Sequence, residues 1–364
     1  MIYLTHIETA STTQTDLIEG CQFPQRVHWF KETYDRVKTG MIYVPHVLAN
    51  MVLKKEIVEA VKEKPVKSAF ILAGGNQQFA GITKDTSSPL NYDYKFLPLM
   101  LTQVYAGRTA SMFGISDYVS TDASACASSL KVMMDVRMLI QSYGFDRVVV
   151  LSVEDAVSPL TMDFFGQSKA SMTLKDEDGV KPSAFDAVNG GFYIGQGAVC
   201  AVFETEDAMT AYPKAKLLGA YTASEDISNP LGMKEDGEGY RKVIEGALFT
   251  ANASPEDIAI IKTHGTGTQS NNLAEKTAIN GIFNDFVATS YKQKIGHTMG
   301  ASGLLETGLL LNDIKNGFVP AIENRTERDE RFLSDNADVP DGHILCLSAG
   351  MGNIFSSAIF STEP

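Results

Sequence analysis

Two segments, LKVMMDVRMLIQSY (130–143) and GLLETGLLLNDI (303–314), are apolar around almost their whole circumference. A helix of that kind cannot sit on a surface and is normally buried inside a larger protein. Each half of the chain therefore carries one central helix that needs layers on both sides. Each helix follows a turn of small residues that holds a reactive side chain, Cys126 before the first and His297 before the second. The layout is duplicated although no sequence repeat is detectable.

Around these helices the pattern alternates. VKSAFILAGG, DYVSTDAS, RVVVLSVED, FYIGQGAVCAVFET, AKLLGAYTASED and IAIIKTH read as strands. LPLMLTQVYAGRTASMFG, GYRKVIEGALFTAN and NLAEKTAINGIFND read as helices, and GHILCLSAGMGNIFSSAIFST reads as two strands across a Gly-rich turn. Such alternation implies an α/β fold with buried sheets. The 364 residues exceed the usual single-domain length. Two halves are expected, 1–205 carrying the cysteine and 206–364 carrying two histidines, with the seam near Thr205 to Pro213. A hydrophobic fraction of 44% and a charged fraction of 21% fit a soluble chain with a sizeable core. The net charge of −13 argues against a nucleic-acid partner. No apolar run reaches bilayer length, and MIYLTHIETA lacks the features of a signal peptide, so a cytoplasmic protein is expected. Cys21, Cys126, Cys200 and Cys346 are far apart and in no metal-ligand spacing, so free thiols and no metal are expected.

Three segments carry chemistry. In DASACASSLK (122–131) one thiol sits among small residues just before a helix. A buried lone cysteine is usually inert. A helix N-terminus, however, favours thiolate over thiol, so a lowered thiol pKa is expected, and Ala125, Ala127 and Ser128 leave room for an acyl group. In KTHGTGTQSNNLAE (262–275), His264 ends a strand, and Thr266 and Thr268 point the same way in an extended run. The plain alternative is a polar turn with a helix cap at Asn271 or Asn272. In SYKQKIGHTMGASG (290–303), His297 sits between a glycine and a helix start, five residues after Lys292.

Together these resemble the β-ketoacyl synthases of the thiolase-like superfamily. The resemblance rests on SACASSL, on HGTGT with Glu275, on KQKIGH with GASG, on AFDAVNGGFYIGQGA (184–198) and on SAGMGN (348–353), in that order over about residues 115 to 360. It implies a five-layered αβαβα thiolase fold with two pseudo-symmetric halves. It also implies an acyltransferase that joins an acyl-cysteine to a malonyl-type thioester with loss of CO2, in fatty-acid or polyketide-type biosynthesis. Cys126 matches the nucleophile, and His264 and His297 match the two histidines that stabilise the enolate. Lys292 matches the lysine that fixes charge and geometry, with Glu275 as its expected partner. Thr266 and Thr268 match the threonines on the pantetheine arm. The backbone N–H groups of Cys126 and Met351 match the oxyanion hole. No permanently bound cofactor is implied. Substrates arrive on the phosphopantetheine of an acyl carrier protein or on CoA, and a homodimer or a heterodimer with a second ketosynthase-like chain is expected, with no membrane partner. Lys54, Lys55, Lys62, Lys64 and Lys67 form a candidate carrier-docking cluster or, more simply, a solvated face.

This chain departs from the family pattern at Gln196 (usually Glu), Asn189-Gly190 (Arg-Asp), Asn272 (Asp), Met351 (a gating Phe) and Asn353 (Gly), and it is shorter in its N-terminal half. These differences point to a specialised discrete synthase. The alternatives are a non-catalytic, chain-length-determining partner subunit, which would typically lack the cysteine, and a thiolase-fold acyltransferase that never condenses.

Overall fold

A computed structural model describes residues 1–13, 15–18, 22, 25–28, 30, 44–74, 101–173, 179–229 and 231–363. The first half runs β1 (Tyr3–Ala10), β2 (Thr15–Ile18), β3 (Gln25–His28), α1 (Val44–Val52), α2 (Lys55–Glu63), β4 (Ser68–Ala73), α3 (Thr102–Met112), β5 (Tyr118–Asp122), α4 (Ser128–Gln141), β6 (Arg147–Asp155), α5 (Pro159–Gln167) and β7 (Ile194–Glu204). The second runs β8 (Ala215–Ser224), α6 (Glu238–Ala251), β9 (Ile258–Lys262), α7 (Gln269–Ile282), β10 (Val287–Thr289), α8 (Lys292–Ile295), α9 (Ser302–Lys315), β11 (Phe318–Val319), β12 (Ala337–Asp338), β13 (His343–Gly350) and β14 (Ile354–Ser361).

Strand order explains the duplication. One end of the main sheet reads β5-β4-β6-β7-β1 and the other β10-β9-β13-β14-β8, joined where β1 meets β8. In both, the first two pairings are parallel and the next two antiparallel. Helices α4 and α9 pack between the two ends, and their apolar residues form one core with the inward side chains of β4, β6, β7, β9 and β13. A second core joins α6 and α7 to the outer face of the second half, and a third joins α1, α2 and α3 to that of the first. The layers are thus helix, sheet, helix pair, sheet, helix.

Strand β6 and the β13–β14 hairpin fall where the pattern places them. The helix expected over 97–114 is described from Thr102, and its first residues lie outside the described residues. The central helices begin before their apolar runs, at Ser128 and Ser302, and Ser128, Ser129 and Ser302 are buried with them. α9 is covered from Ser302 to Leu311, where only Leu309 is partly buried, while Asn312 and Lys315 in its last turn are exposed. α4 is less well covered: Met138 is 41% exposed and Tyr143, past the helix end, 66%. One flank of α4 is polar instead. There Lys131 binds Asp122 and Asp135, and Arg137 donates to the carbonyls of Leu218 and Thr250. Among the described residues no helix is long and apolar enough to cross a membrane, and no three potential metal ligands cluster. Cys126, Cys200 and Cys346 are free and buried, while Cys21 lies outside the described residues.

Candidate active site

Cys126 sits in a single helical turn, Ala125–Ala127, that leads into α4. Ala125 holds φ +46°, a left-handed conformation that costs a side-chain-bearing residue energy. Gly350, at the end of β13, comes so close that a Cβ there would lie 2.8 Å from the Ser124 carbonyl oxygen and 3.2 Å from the Cys126 nitrogen. That approach brings Met351 to the thiol.

His264 lies two residues past β9. Its backbone N–H donates to Glu275 Oε1 at 2.5 Å, and that of Gly265 donates to Oε2 at 2.9 Å. His297 is held by main-chain bonds to the start of β7. It donates to the Tyr193 carbonyl at 2.7 Å and accepts from the Gly195 N–H at 3.0 Å. Gly195 permits this, since a Cβ there would fall 2.6 Å from the Ile295 carbonyl oxygen. The two imidazoles meet edge to face, 5.7 Å between centroids, and Phe192 packs edge-on against His297 at 5.0 Å.

Cys126, His264 and His297 line one cavity of about 230 Å³, together with Thr266, Thr268 and Met351. The two threonine hydroxyls are 3.1 Å apart, as their same-side spacing predicts. A wider cavity of about 700 Å³, bordered by Lys181, Lys294 and Glu323, contains none of the three. Much of the site cavity's outer wall comes from α5 and the residues after it, Phe164 to Ala170, and from Leu231 to Met233. Neither stretch stands out in the sequence.

Burial dominates the electrostatics. It pushes the Cys126 thiol up to about 12, against the lowering effects of Lys292 and of the backbone N–H groups of Cys126 and Met351. The expectation of a lowered thiol pKa is therefore corrected. The sulfur lies among Met162, Phe165, Phe192 and Met299, with the Met299 sulfur 3.9 Å away, and desolvation there outweighs the helix dipole. The N–H groups of Cys126 and Met351 do face the sulfur. Burial, then Lys292, hold both imidazoles well below their usual range, so both are neutral. His297 Nδ1 accepts the Met299 N–H at 3.2 Å, which puts the ring proton on Nε2.

Two further expectations are corrected. Lys292 pairs with Glu306 Oε1 at 2.8 Å, not with Glu275. Glu275 is occupied by the two backbone N–H groups of the histidine turn and by Asn271 Nδ2. Helix α7 begins at Gln269 after Thr268, so neither Asn271 nor Asn272 caps it, and Asn271 instead bridges Tyr240 and Glu275. The site also contains a residue that the sequence reading passed over. Lys262, fully buried, donates to Glu306 Oε2 at 2.9 Å and to the Leu347 carbonyl at 3.0 Å. The signal was a charge at the end of an apolar strand, facing a glutamate in an apolar helix.

The departures are accommodated locally. Gln196 accepts the Phe30 N–H and donates to Asp155 Oδ1 at 2.6 Å, a donation a carboxylate could not make. Asn189 accepts from Lys181 and donates to the Asn324 carbonyl. Asn353 takes φ +61°, which asparagine tolerates, and donates to the Ile227 carbonyl. Of the lysine cluster, Lys64 and Lys67 are tied to the Met209 and Tyr143 carbonyls, and Lys55 pairs with Glu59 on an exposed helix face.

Duplicated halves around paired central helices, with a thiol and two imidazoles brought to one cavity, define a thiolase-type fold. The N-terminal domain model of the β-ketoacyl synthases matches residues 54–208 and their C-terminal domain model matches residues 214–326, and the chain belongs to the β-ketoacyl synthase family. It is 28% identical over 284 residues to the tetracenomycin polyketide synthase ketoacyl synthase alpha subunit of Streptomyces glaucescens, covering 74% of this chain and 65% of that one. It is 27% identical to 3-oxoacyl-[acyl-carrier-protein] synthase 2 of Vibrio cholerae serotype O1, covering 73% and 67%. The chain thus spans just under two thirds of the polyketide relative's length. Among solved structures, it superposes on a chain from a type II polyketide acyl-carrier protein in complex with its ketosynthase, bound to the hexaketide. The TM-score is 0.84 at 18% identity, with 100% of this chain and 99% of that one covered. A ketosynthase in complex with its chain length factor from Xenorhabdus doucetiae gives 0.79 at 20% identity, with 99% and 97% covered.

Proposed function

We propose that this chain is a catalytically active ketosynthase that performs decarboxylative condensation. The observation that carries the reading is the shared cavity: a nucleophile under two backbone N–H groups, facing two neutral imidazoles. The Cys126 sulfur attacks the carbonyl carbon of an acyl thioester. The carrier thiol leaves with the proton, and the acyl oxygen lies under the N–H groups of Cys126 and Met351. A malonyl-type thioester then enters along Thr266 and Thr268. Its bond to the carboxylate breaks, CO2 departs, and the electron pair moves onto the thioester oxygen. N–H donors aimed at that oxygen are worth most in a site closed to water. Two neutral imidazoles can serve as those donors without a free base. The enolate carbon attacks the acyl-cysteine, the carbon–sulfur bond breaks with its electron pair on sulfur, and the Cys126 thiolate takes a proton from solvent beneath a β-ketoacyl carrier. Glu275 holds the His264 turn through two N–H groups, and Lys292, paired with Glu306, opposes protonation of both rings.

The substrates arrive on phosphopantetheine, supplied by an acyl carrier protein, and the functional unit is a dimer with an identical or a related ketosynthase chain. Intact-protein mass after incubation with acyl thioesters, followed by CO2 release from a malonyl thioester, tests the reading. Acylation with CO2 release supports condensation, and acylation without it leaves the acyltransferase alternative. A wild-type protein with neither acylation nor CO2 release would leave the alternative of a non-catalytic, chain-length-determining partner subunit.

A further inference from the structure

Two ammonium groups share one carboxylate at the centre of the second half. Lys262, Lys292 and Glu306 are all 0% exposed at their side chains, with each glutamate oxygen taken by one lysine, at 2.9 and 2.8 Å. A single lysine–glutamate pair is neutral and acts at a distance only as a dipole. A second lysine gives the hydrogen-bonded group a net positive charge in a place where water cannot screen it. Lys262 is the firmer of the two, with Glu306 and the Leu347 carbonyl as acceptors, whereas Glu306 is the one acceptor of Lys292 among the described residues.

We propose that Lys262 is a positioning residue of this site: by sharing Glu306 with Lys292 it makes a net-positive triad that keeps His264 and His297 neutral. The geometry requires that neutrality. His297 Nδ1 accepts the Met299 N–H, so a protonated ring would set two donors against each other. Lys262 is two residues from His264 along one extended run, and therefore on the same side of it. Both lysines oppose protonation of both rings, and Lys292 favours the thiolate. The other groups around the rings do not supply the charge. Glu275 on α7 is consumed by its three donors. Glu154 on β6 accepts the Gly300 N–H and works against the thiolate. Asp155 is bound by Gln196, Asp313 accepts the Tyr291 hydroxyl, and Cys346 on β13 is a thiol facing Thr307.

The inference rests on the condensation reading for its purpose, so its test avoids turnover. Histidine titration by NMR is measured on the full chain, wild type and variants. In the wild type both rings should stay neutral down to pH 5, and a ring titrating near its ordinary value overturns the proposal whichever variants fold. Lys262→Met removes donor and charge, and Lys262→Gln keeps an N–H donor but no charge. Both should move the ring titrations upward, by about one to two pH units for a unit charge at this depth. Lys262→Arg keeps the charge and should restore wild-type midpoints. Unmoved midpoints in a folded Lys262→Met or Lys262→Gln protein leave Lys262 a packing residue and overturn the proposal. Failure of the condensation reading shows separately, as a wild-type protein that takes no acyl group or releases no CO2.

Discussion

The turn before α4 and the turn before α9 are built alike. Each is a three-residue helical turn, Ala125–Ala127 or Met299–Ala301, followed by a 14-residue helix. Each places a residue other than glycine at positive φ, +46° at Ala125 and +41° at Met299. They differ in what the strained residue presents. After Ala125 comes a thiol, and after Met299 comes Gly300, whose N–H donates to Glu154. The second half has no nucleophile at that point and carries instead both histidines and the lysine–glutamate triad. One strained turn thus occurs twice, once before a thiol and once before a glycine whose N–H binds Glu154, and the histidines and the triad lie in the half without that thiol.

The hardest test of that asymmetry is removal of the thiol. Cys126→Ala should abolish the acyl mass shift altogether while leaving CO2 release from a malonyl thioester in place, because that step belongs to the other half. Loss of both activities together would make the division of labour wrong. Next in size is Glu306→Gln, which leaves two buried ammonium groups without a carboxylate. Removing one partner of a buried ion group costs about 3–5 kcal/mol, and a matching fall in chemical-denaturation midpoint is expected. His264→Ala and His297→Ala should each still be acylated but should lose CO2 release by about 100- to 1000-fold. Decarboxylation at the wild-type rate would remove that histidine from the enolate-stabilising role.

How much of this the sequence disclosed follows the same asymmetry. The nucleophile turn and the histidine turns are legible because cysteine or histidine beside Gly, Ala and Ser is a local pattern. So are α9 and the strands, whose apolar runs are long and nearly uninterrupted. The polar flank of α4 is not legible in the sequence, because Lys131, Asp135 and Arg137 find partners on β5, on α4 itself and on carbonyls of β8 and α6, contacts that only the assembled fold supplies. The thiol's raised pKa has the same origin: a helix start can be read from sequence, but the methionines and phenylalanines that desolvate it come from three other segments. Lys262 and Glu306 lie 44 residues apart and meet only across the sheet–helix interface.

A smaller effect tests the neutrality of the second half through stability. His264 and His297 have folded-state values held well below 6.5, so in the window beneath 6.5 the unfolded chain binds protons that the folded one refuses. Stability should be full above pH 6.5 and fall as pH drops below it, at up to about 1.4 kcal/mol per pH unit for each ring. Thermal melts from pH 8 to pH 5 on wild type and His264→Asn should show the slope reduced in the variant. Equal slopes would mean that His264 titrates normally in the fold.

The smallest expected effect, that of Ala125→Gly, comes from comparing the two turns directly. Replacing the positive-φ residue by glycine relieves the same backbone strain in both, about 1 kcal/mol, and in both it adds conformational freedom to the unfolded chain that offsets much of the gain. The side chains then decide. Ala125 gives up one methyl group, so Ala125→Gly should change stability by less than about 1 kcal/mol and leave acylation intact. Met299 is 1% exposed and packs against the Cys126 sulfur, so Met299→Gly also opens a cavity beside the nucleophile. Loss of a buried methionine side chain costs about 2–5 kcal/mol, which exceeds the relief. Urea unfolding of the two variants side by side should show one near wild type and one clearly weakened. Equal losses would mean that Ala125 holds the nucleophile turn by more than its backbone angle, and that the two turns are less alike than their geometry states.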